Sequence, residues 1–207
     1  MLEKIHWLGH DSYRIDGPPV IYIDPWQLVQ HTPKADIILV THDHYDHCSP
    51  SDVQALSGPN TVVVAPSAAA AKLGRATRVI APGQRLVIGG VSIEAVAAYN
   101  TNKDFHPRKA GHVGYVITVG GQRIYHAGDT DLTPEVGQVK ADIALLPVSG
   151  VYVMTADEAA KAATEIRPKI AIPMHYGSIA GTASDAERFR DLCTQAGIEV
   201  RILQKEP

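Results

Sequence analysis

The sequence predicts a mixed α/β protein, a four-layer αββα sandwich in which two sheets are each covered by helices. One observation is a first series of short apolar runs of strand length, followed by two short helical stretches. Another is a second series of strands that passes into a helix–strand–helix–strand alternation. The third is the lack of any linker, repeat or low-complexity tract, so the 207 residues read as one domain over 1–207.

Taken in order, Lys4–Leu8, Ser12–Ile15, Val20–Ile23 and Asp36–Val40 are the opening strands, with Gly9, Gly17-Pro18-Pro19 and Asp24-Pro25 as turns. Ser51–Leu56 is predicted helical with Ser51 as its cap, Val62–Ala65 a buried strand, and Ser67–Leu73 a helix stopped by Gly74. Thr77–Ile80, Arg85–Ile88, Val91–Ala97, Val113–Val119 and Arg123–His126 return to strand, with Gly89-Gly90 and Gly120-Gly121 at hairpin positions. Asp142–Leu146 is a strand. Ala156–Ile166 is a helix capped by Thr155 with Glu158 three residues on, a capping box. Ile170–Pro173, Ala183–Ala196 (closed by Gly197) and Ile198–Leu203 complete the chain as strand, helix and strand. Tyr99–Gly111 lacks periodicity, and an irregular stretch of that length in a compact chain points to function.

Composition excludes several classes. With 45% hydrophobic and 20% charged residues, the chain is an ordinary globular one. A net charge of -3 gives the chain as a whole no electrostatic attraction to nucleic acid or an anionic membrane, while local basic clusters remain able to bind a phosphate. No apolar run reaches the length of a membrane span, and no signal peptide is read, so a cytoplasmic protein is expected. Cys48 and Cys193 form no disulfide framework. The expected partner is a small molecule, with homo-oligomerisation left open.

Ten histidines are many, and their placement matters more. Thr41-His42-Asp43-His44-Tyr45-Asp46-His47 leaves the apolar strand Ile37–Val40. Imidazoles this dense repel when protonated and waste hydrogen bonds when buried, and a divalent cation resolves both problems. His42 and His44, two apart on extended chain, point to one side and can share one cation. Asp46 and His47 follow as the backbone turns and can face a second. His126-Ala127-Gly128-Asp129 and Pro173-Met174-His175 repeat the pattern of a ligand-type residue at the exit of an apolar strand. Such donors suit zinc, and also manganese, iron or nickel.

His42-x-His44-x-Asp46-His47 resembles the signature of the metallo-β-lactamase superfamily. Tyr125–Thr130 resembles its later Gly-Asp motif, and Pro173–Tyr176 its final His motif. Trp7-Leu8-Gly9-His10 and Ile23-Asp24-Pro25 are similar to the branch that holds ascorbate-6-phosphate lactonase and many metal-dependent hydrolases. The resemblance runs from Leu2 to Phe189. It implies the metallo-β-lactamase fold and two divalent metal ions. His42 and His44 would bind the first, Asp46, His47 and His175 the second, and Asp129 would bridge. Asp46 would also be catalytic, orienting a bridging hydroxide and taking up a proton.

The family's third histidine for the first metal has no counterpart directly after Val91–Ala97. Asn100, His106 and His112 are the candidates, and His106 is favoured. His10 is placed near the metals by the resemblance, with a backbone-bonded turn histidine as the other reading. His126 is expected either to steer a ligand carboxylate or to pack in the core. Asp24 would take a proton from a ligand imidazole or simply start its turn. Lys103, Arg108 and Lys109 would meet an anionic group or be solvated. Tyr152 and Tyr176 are candidate donors to an oxyanion. His6 and His31 read as structural or exposed.

The function expected is hydrolysis of an ester, lactone or amide carbonyl in a small, anionic substrate by a binuclear metal site, with phosphodiesterase or nuclease chemistry as the alternative. A di-iron redox protein is disfavoured because that branch has Glu where this chain has His44 and carries a flavin domain besides. A non-catalytic, metal-stabilised binding module is disfavoured by Asp46.

Overall fold

The computed structural model describes residues 1–30 and 33–206; His31 lies outside the described residues. The chain divides into two compact units, Met1–Ala81 with Leu203–Pro207, and Pro82–Ile202.

The first unit is a six-stranded sheet in the order β1 (Ile5–Gly9), β2 (Ser12–Ile15), β3 (Ile21–Ile23), β4 (Ala35–Leu39), β5 (Ser57–Ala65) and β6 (Arg78–Val79). The first three are antiparallel and the remaining pairings parallel. Strand β3, Ile-Tyr-Ile, is buried throughout, and β4 is buried at Ala35, Ile37, Ile38 and Leu39, the near-continuous burial of central strands. Helices α1 (Pro50–Leu56) and α2 (Ser67–Leu73) cover one face, burying Val53, Leu56, Ala69 and Leu73 against Ile38, Val40 and Val63. The C-terminal tail returns to this sheet, where Lys205 bridges to Trp7 and the Glu206 N–H donates to the Trp7 carbonyl at 2.9 Å.

The second unit is a seven-stranded sheet. In chain order its strands are β7 (Arg85–Ile88), β8 (Val91–Ala97), β9 (Val113–Val119), β10 (Gln122–His126), β11 (Ile143–Pro147), β12 (Ile170–Met174) and β13 (Glu199–Val200), and they lie side by side in that order. Strands β7 to β10 are an antiparallel meander and β10 to β13 are parallel. Gly89-Gly90 and Gly120-Gly121 turn its hairpins with φ of +55°, +82°, +57° and +74°, values that glycine adopts without strain. Helix α3 (Pro134–Gly137) is short. Helix α4 (Ala156–Ile166) packs on β11 and α5 (Ala183–Gln195) on β12 and β13. The alanine face of α4, Ala159, Ala160, Ala162 and Ala163, is buried, and small side chains there let α5 approach.

The two sheets with their helices are those the sequence predicts, with boundary corrections. Ser49, not Ser51, caps α1: its hydroxyl accepts the Asp52 N–H, and Pro50 takes the first helical position, where its missing N–H costs nothing. Strand β5 starts at Ser57 rather than Val62, because Ser57 pairs with Ala35 ahead of a register shift. Strand β13 spans two residues rather than six, since only Glu199 and Val200 find partners on β12. Helix α3, with Thr133 as cap and Pro134 next, was signalled by Thr-Pro-Glu and is absent from the sequence reading. Within Tyr99–Gly111 the one regular piece is a 3-10 turn at Arg108–Ala110.

Candidate metal centre

In the first unit, the exits of β1, β3 and β4 carry the donors. After β4 the His47 and Cys48 N–H groups donate to the His44 carbonyl at 3.2 and 2.9 Å, so the chain turns between the His42/His44 pair and Asp46/His47. The His42 ring lies 4.6 Å from the His44 ring and 4.1 Å from the His47 ring, centroid to centroid. Asp24, at the exit of the adjacent β3, supports this turn from beneath. Its carboxylate accepts the Thr41 N–H at 2.7 Å, the Thr41 hydroxyl at 2.5 Å and the His47 Nδ1–H at 2.8 Å, and it is wholly buried.

These bonds fix two tautomers. A carboxylate only accepts, so His47 carries its hydrogen on Nδ1. The Thr41 hydroxyl spends its hydrogen on Asp24 and therefore accepts from His42 Nδ1, 3.0 Å away. Both rings keep Nε2 as their lone-pair atom. Asp24, His42 and His47 offer donor atoms within 4.8 Å of one another. His10 Nε2 stands 3.1 Å from Asp46 Oδ2, and His47 Nε2 stands 3.6 Å from it. His10 is held by the Trp7 indole N–H on its carbonyl at 2.9 Å and by the edge of Trp26, 5.5 Å between centroids.

In the second unit the exits of β8, β10, β11 and β12 do the same. Asp129 follows β10 through Ala127 and Gly128. Gly114 on β9 is required there, since a Cβ at that position would come within 2.5 Å of the Ala127 carbonyl oxygen. Asp129 Oδ2 lies 3.2 Å from His106 Nε2 and 3.3 Å from His175 Nε2, and all three residues are buried. The other nitrogen of each ring is engaged: His106 Nδ1 at 3.1 Å from Asn100 Oδ1, and His175 Nδ1 at 2.9 Å from the Ser149 hydroxyl. Two imidazole nitrogens spaced so closely around one carboxylate oxygen fit a first-row cation, whose bonds of about 2.0–2.2 Å hold neighbouring donors roughly 3–3.5 Å apart.

His10, Asp24 and His175 share a further mark, positive φ values of +51°, +44° and +59°. Histidine and aspartate tolerate this region better than most residues, but it is sparsely occupied and concentrates at functional sites.

The remaining sequence candidates fall elsewhere. Asn100 Oδ1 already takes the His106 backbone N–H and faces its Nδ1, so its oxygen serves the ring. His112 sits beside His106, 5.7 Å between ring centroids. His126 is buried and its Nδ1 accepts the Gly128 N–H at 3.2 Å, shaping the turn into Asp129. Tyr152 lies 6.5 Å from the His175 ring and stacks edge-on against Phe105 at 4.7 Å. Burial pushes the Tyr176 hydroxyl above its ordinary range. His6 is a structural residue, bound to Asp16 and Glu206 in the first unit.

Of the two readings of the basic loop, an anion contact or a solvated loop, the first competes with carboxylates already bound to two of its cations. Lys103 Nζ is bound to Asp131 Oδ1 at 2.5 Å, and Arg108 to Glu135 at 2.7 Å while lying over the Tyr99 ring. Burial pushes the Asp131 carboxyl up, but Lys103, the Thr101 N–H and the Asn100 amide outweigh it and hold it below the usual carboxylate range. Thr41, Ser149 and Asp131, which orient the donors, were not singled out by the sequence reading. Only the position of Thr41 directly before the histidine motif offered a signal.

Comparison with known proteins agrees with this chemistry. A model of the beta-lactamase superfamily domain matches residues 4–175. The chain is 36% identical to the UPF0173 metal-dependent hydrolase of Thermoplasma acidophilum, over 98% of this chain and 96% of that one. Among solved structures it is similar to a protein described as a metal-dependent hydrolase from Parabacteroides distasonis, with 39% identity, a TM-score of 0.88 and coverage of 97% and 93%. A metallo-beta-lactamase fold protein of Bacillus subtilis shares the fold at 16% identity, with a TM-score of 0.72 over 95% and 89% of the two chains. A mixed α/β chain with His/Asp clusters able to bind metal, and with these relatives, belongs to the metallo-β-lactamase superfamily and is one of its metal-dependent hydrolases.

Proposed function

We propose that this hydrolase is binuclear and cleaves an ester, lactone or amide carbonyl of a small molecule. By the motifs they occupy, His42, His44, Asp46, His47, Asp129 and His175 would be its metal ligands, with His106 as the favoured further ligand of the first metal. One observation carries the reading. His42, His47 and His106 each donate Nδ1–H, to Thr41, Asp24 and Asn100 in turn, so Nε2 carries the lone pair that a cation requires, and Ser149 holds the His175 ring by its Nδ1. Imidazole with carboxylate favours zinc. Asp129, whose Oδ2 has His106 and His175 beside it, would be the shared ligand.

Two bound cations would acidify water and polarise the scissile carbonyl. The chain's own residues orient and move protons. Asp46, held by His10, accepts the proton of the attacking water and passes it to the leaving group. Phe105, half exposed, and Tyr152 give the His175 side an aromatic flank suited to the apolar body of a carbonyl substrate. With Lys103 held by the buried Asp131 and Arg108 paired with Glu135 at the surface, an anionic tail on the substrate is not required.

Elemental analysis of the purified protein, beside His42→Ala and His175→Ala, tests the metal reading. Close to two transition-metal ions per chain, reduced in both variants, is the expected result, and no uptake even on reconstitution would overturn it. A panel of aryl esters, lactones, amides and phosphodiesters, assayed before and after chelation, tests the substrate class. Turnover confined to phosphodiesters would replace the carbonyl assignment.

A further inference from the structure

Asn100 joins two sets of interactions within the second unit. Its side-chain nitrogen donates to Asp131 Oδ1 at 3.1 Å and to the Tyr152 carbonyl at 2.9 Å. Its oxygen accepts the His106 backbone N–H at 3.0 Å and lies 3.1 Å from His106 Nδ1. Two acceptors at one end and a backbone donor at the other leave one orientation for the amide. An amide oxygen cannot donate, so the hydrogen of the contact with His106 resides on Nδ1. Nε2 is then the ring's lone-pair atom, and it faces Asp129 Oδ2 at 3.2 Å.

Asp131 is in turn fixed on several sides. It is 1% exposed and accepts the Thr101 N–H at 2.8 Å, the Thr101 hydroxyl at 3.3 Å and the Lys103 ammonium at 2.5 Å. Its own N–H donates to the Tyr99 carbonyl at 3.0 Å, which ties the Asp129–Asp131 segment to the segment that carries Asn100.

We propose that Asn100 is a positioning residue that sets the tautomer and aim of His106, and that Asp131 sets the orientation of Asn100. The proposal rests on the reading of His106 as a metal ligand. It assigns the long irregular loop a task other than gripping an anion: Lys103 and Thr101 hold Asp131, Asp131 holds Asn100, and Asn100 holds the ring. It also explains why asparagine at position 100 is not itself a ligand, since its oxygen is committed to His106.

The test uses the full chain loaded with zinc, and the variants Asn100→Ala, Asp131→Asn, His106→Ala and the charge exchange Asn100→Asp with Asp131→Asn. Zinc affinity is measured by competition with a chromophoric chelator. The His106 tautomer is read from imidazole 1H–15N correlations. Asn100→Ala is expected to weaken one of two zinc sites about 10–100-fold and to abolish the slowly exchanging Nδ1–H of His106, with near-UV circular dichroism unchanged. Asp131→Asn shifts both in the same direction by less, because the Tyr152 carbonyl still holds the amide. The charge exchange keeps an acceptor for the ring and so retains the Nδ1–H, but it sets a carboxylate oxygen against the Tyr152 carbonyl, so zinc affinity stays below that of the parent. Parent-like zinc affinity in Asn100→Ala, beside a clear loss in His106→Ala, overturns the proposal alone. Parent-like affinity in His106→Ala overturns the ligand reading of His106 and this proposal with it. Should Asn100→Ala fail to fold, Asp131→Asn and the charge exchange decide the matter by the same two readouts.

Discussion

Asp24 Oδ2 accepts the Nδ1–H of His47 at 2.8 Å, between two side chains that solvent does not reach. The same carboxylate takes both hydrogens of Thr41, which in turn faces His42. Asp24→Asn tests this arrangement cleanly, because asparagine keeps the left-handed backbone at φ +44° while removing the charge. Zinc affinity should fall about 10–100-fold with the fold retained. Asp24→Ala should also lose stability, on the order of 1–3 kcal/mol for each buried donor left without an acceptor. Zinc titration and urea unfolding check the two.

Strand ends are legible in a sequence because an apolar run that stops at a polar cluster marks both the strand and its exit. His42, Asp129 and His175 are legible in this way, each at the exit of an apolar run. Partners distant in sequence are not legible in this way. Ser149 meets His175 because β11 and β12 lie side by side in parallel, and Asp131 meets Asn100 through a loop, neither of which has a periodicity. Lys103 misled for the same reason: a lysine in a polar loop looks available until its carboxylate, Asp131, is found 28 residues away. Ser49 replaced Ser51 as a cap because two serines flank Pro50, and only the first precedes the residue that can open a helix.

Lys103→Ala should behave as a stability variant rather than a substrate-binding one. Its ammonium is largely covered and bound to a carboxylate of 2% side-chain exposure. Loss of a hydrogen bond to a charged, buried group costs about 1.5–3 kcal/mol. The urea midpoint should drop, while the ratio of kcat/KM between anionic and neutral esters stays as in the parent. A selective loss for anionic substrates would restore the loop to substrate contact.

Asp46→Ala should keep the fold and lose turnover. The side chain is 8% exposed and is contacted by His10 at 3.1 Å, in a loop outside every strand and helix. Removal of a positioned proton acceptor alone costs at least about a hundredfold in rate, and removal of a ligand adds to it. Circular dichroism and thermal unfolding should match the parent while kcat falls by that factor or more. An Asp46→Ala enzyme as active as the parent would remove Asp46 from the mechanism.

Asp142 should shape the acid limit of stability. It precedes β11 and ties its neighbours' amino ends, accepting the Arg123 N–H at 2.9 Å and pairing with Lys169 at 2.9 Å. The Arg123 N–H and the Lys169 ammonium hold its carboxyl below the ordinary 3.8. A carboxyl whose folded pKa is depressed stabilises the fold above its ordinary pKa, and that contribution is lost as pH falls from 3.8 through the folded value. Asp142→Asn should therefore be less stable than the parent at neutral pH by about 1 kcal/mol, a hydrogen-bonded but partly solvated charge. The gap should close as the pH is lowered past 3.8, because the parent's carboxyl is then neutral too. Urea unfolding of both proteins from pH 7 to pH 3 measures it; a gap that stays constant across that range would assign the loss to packing instead of charge.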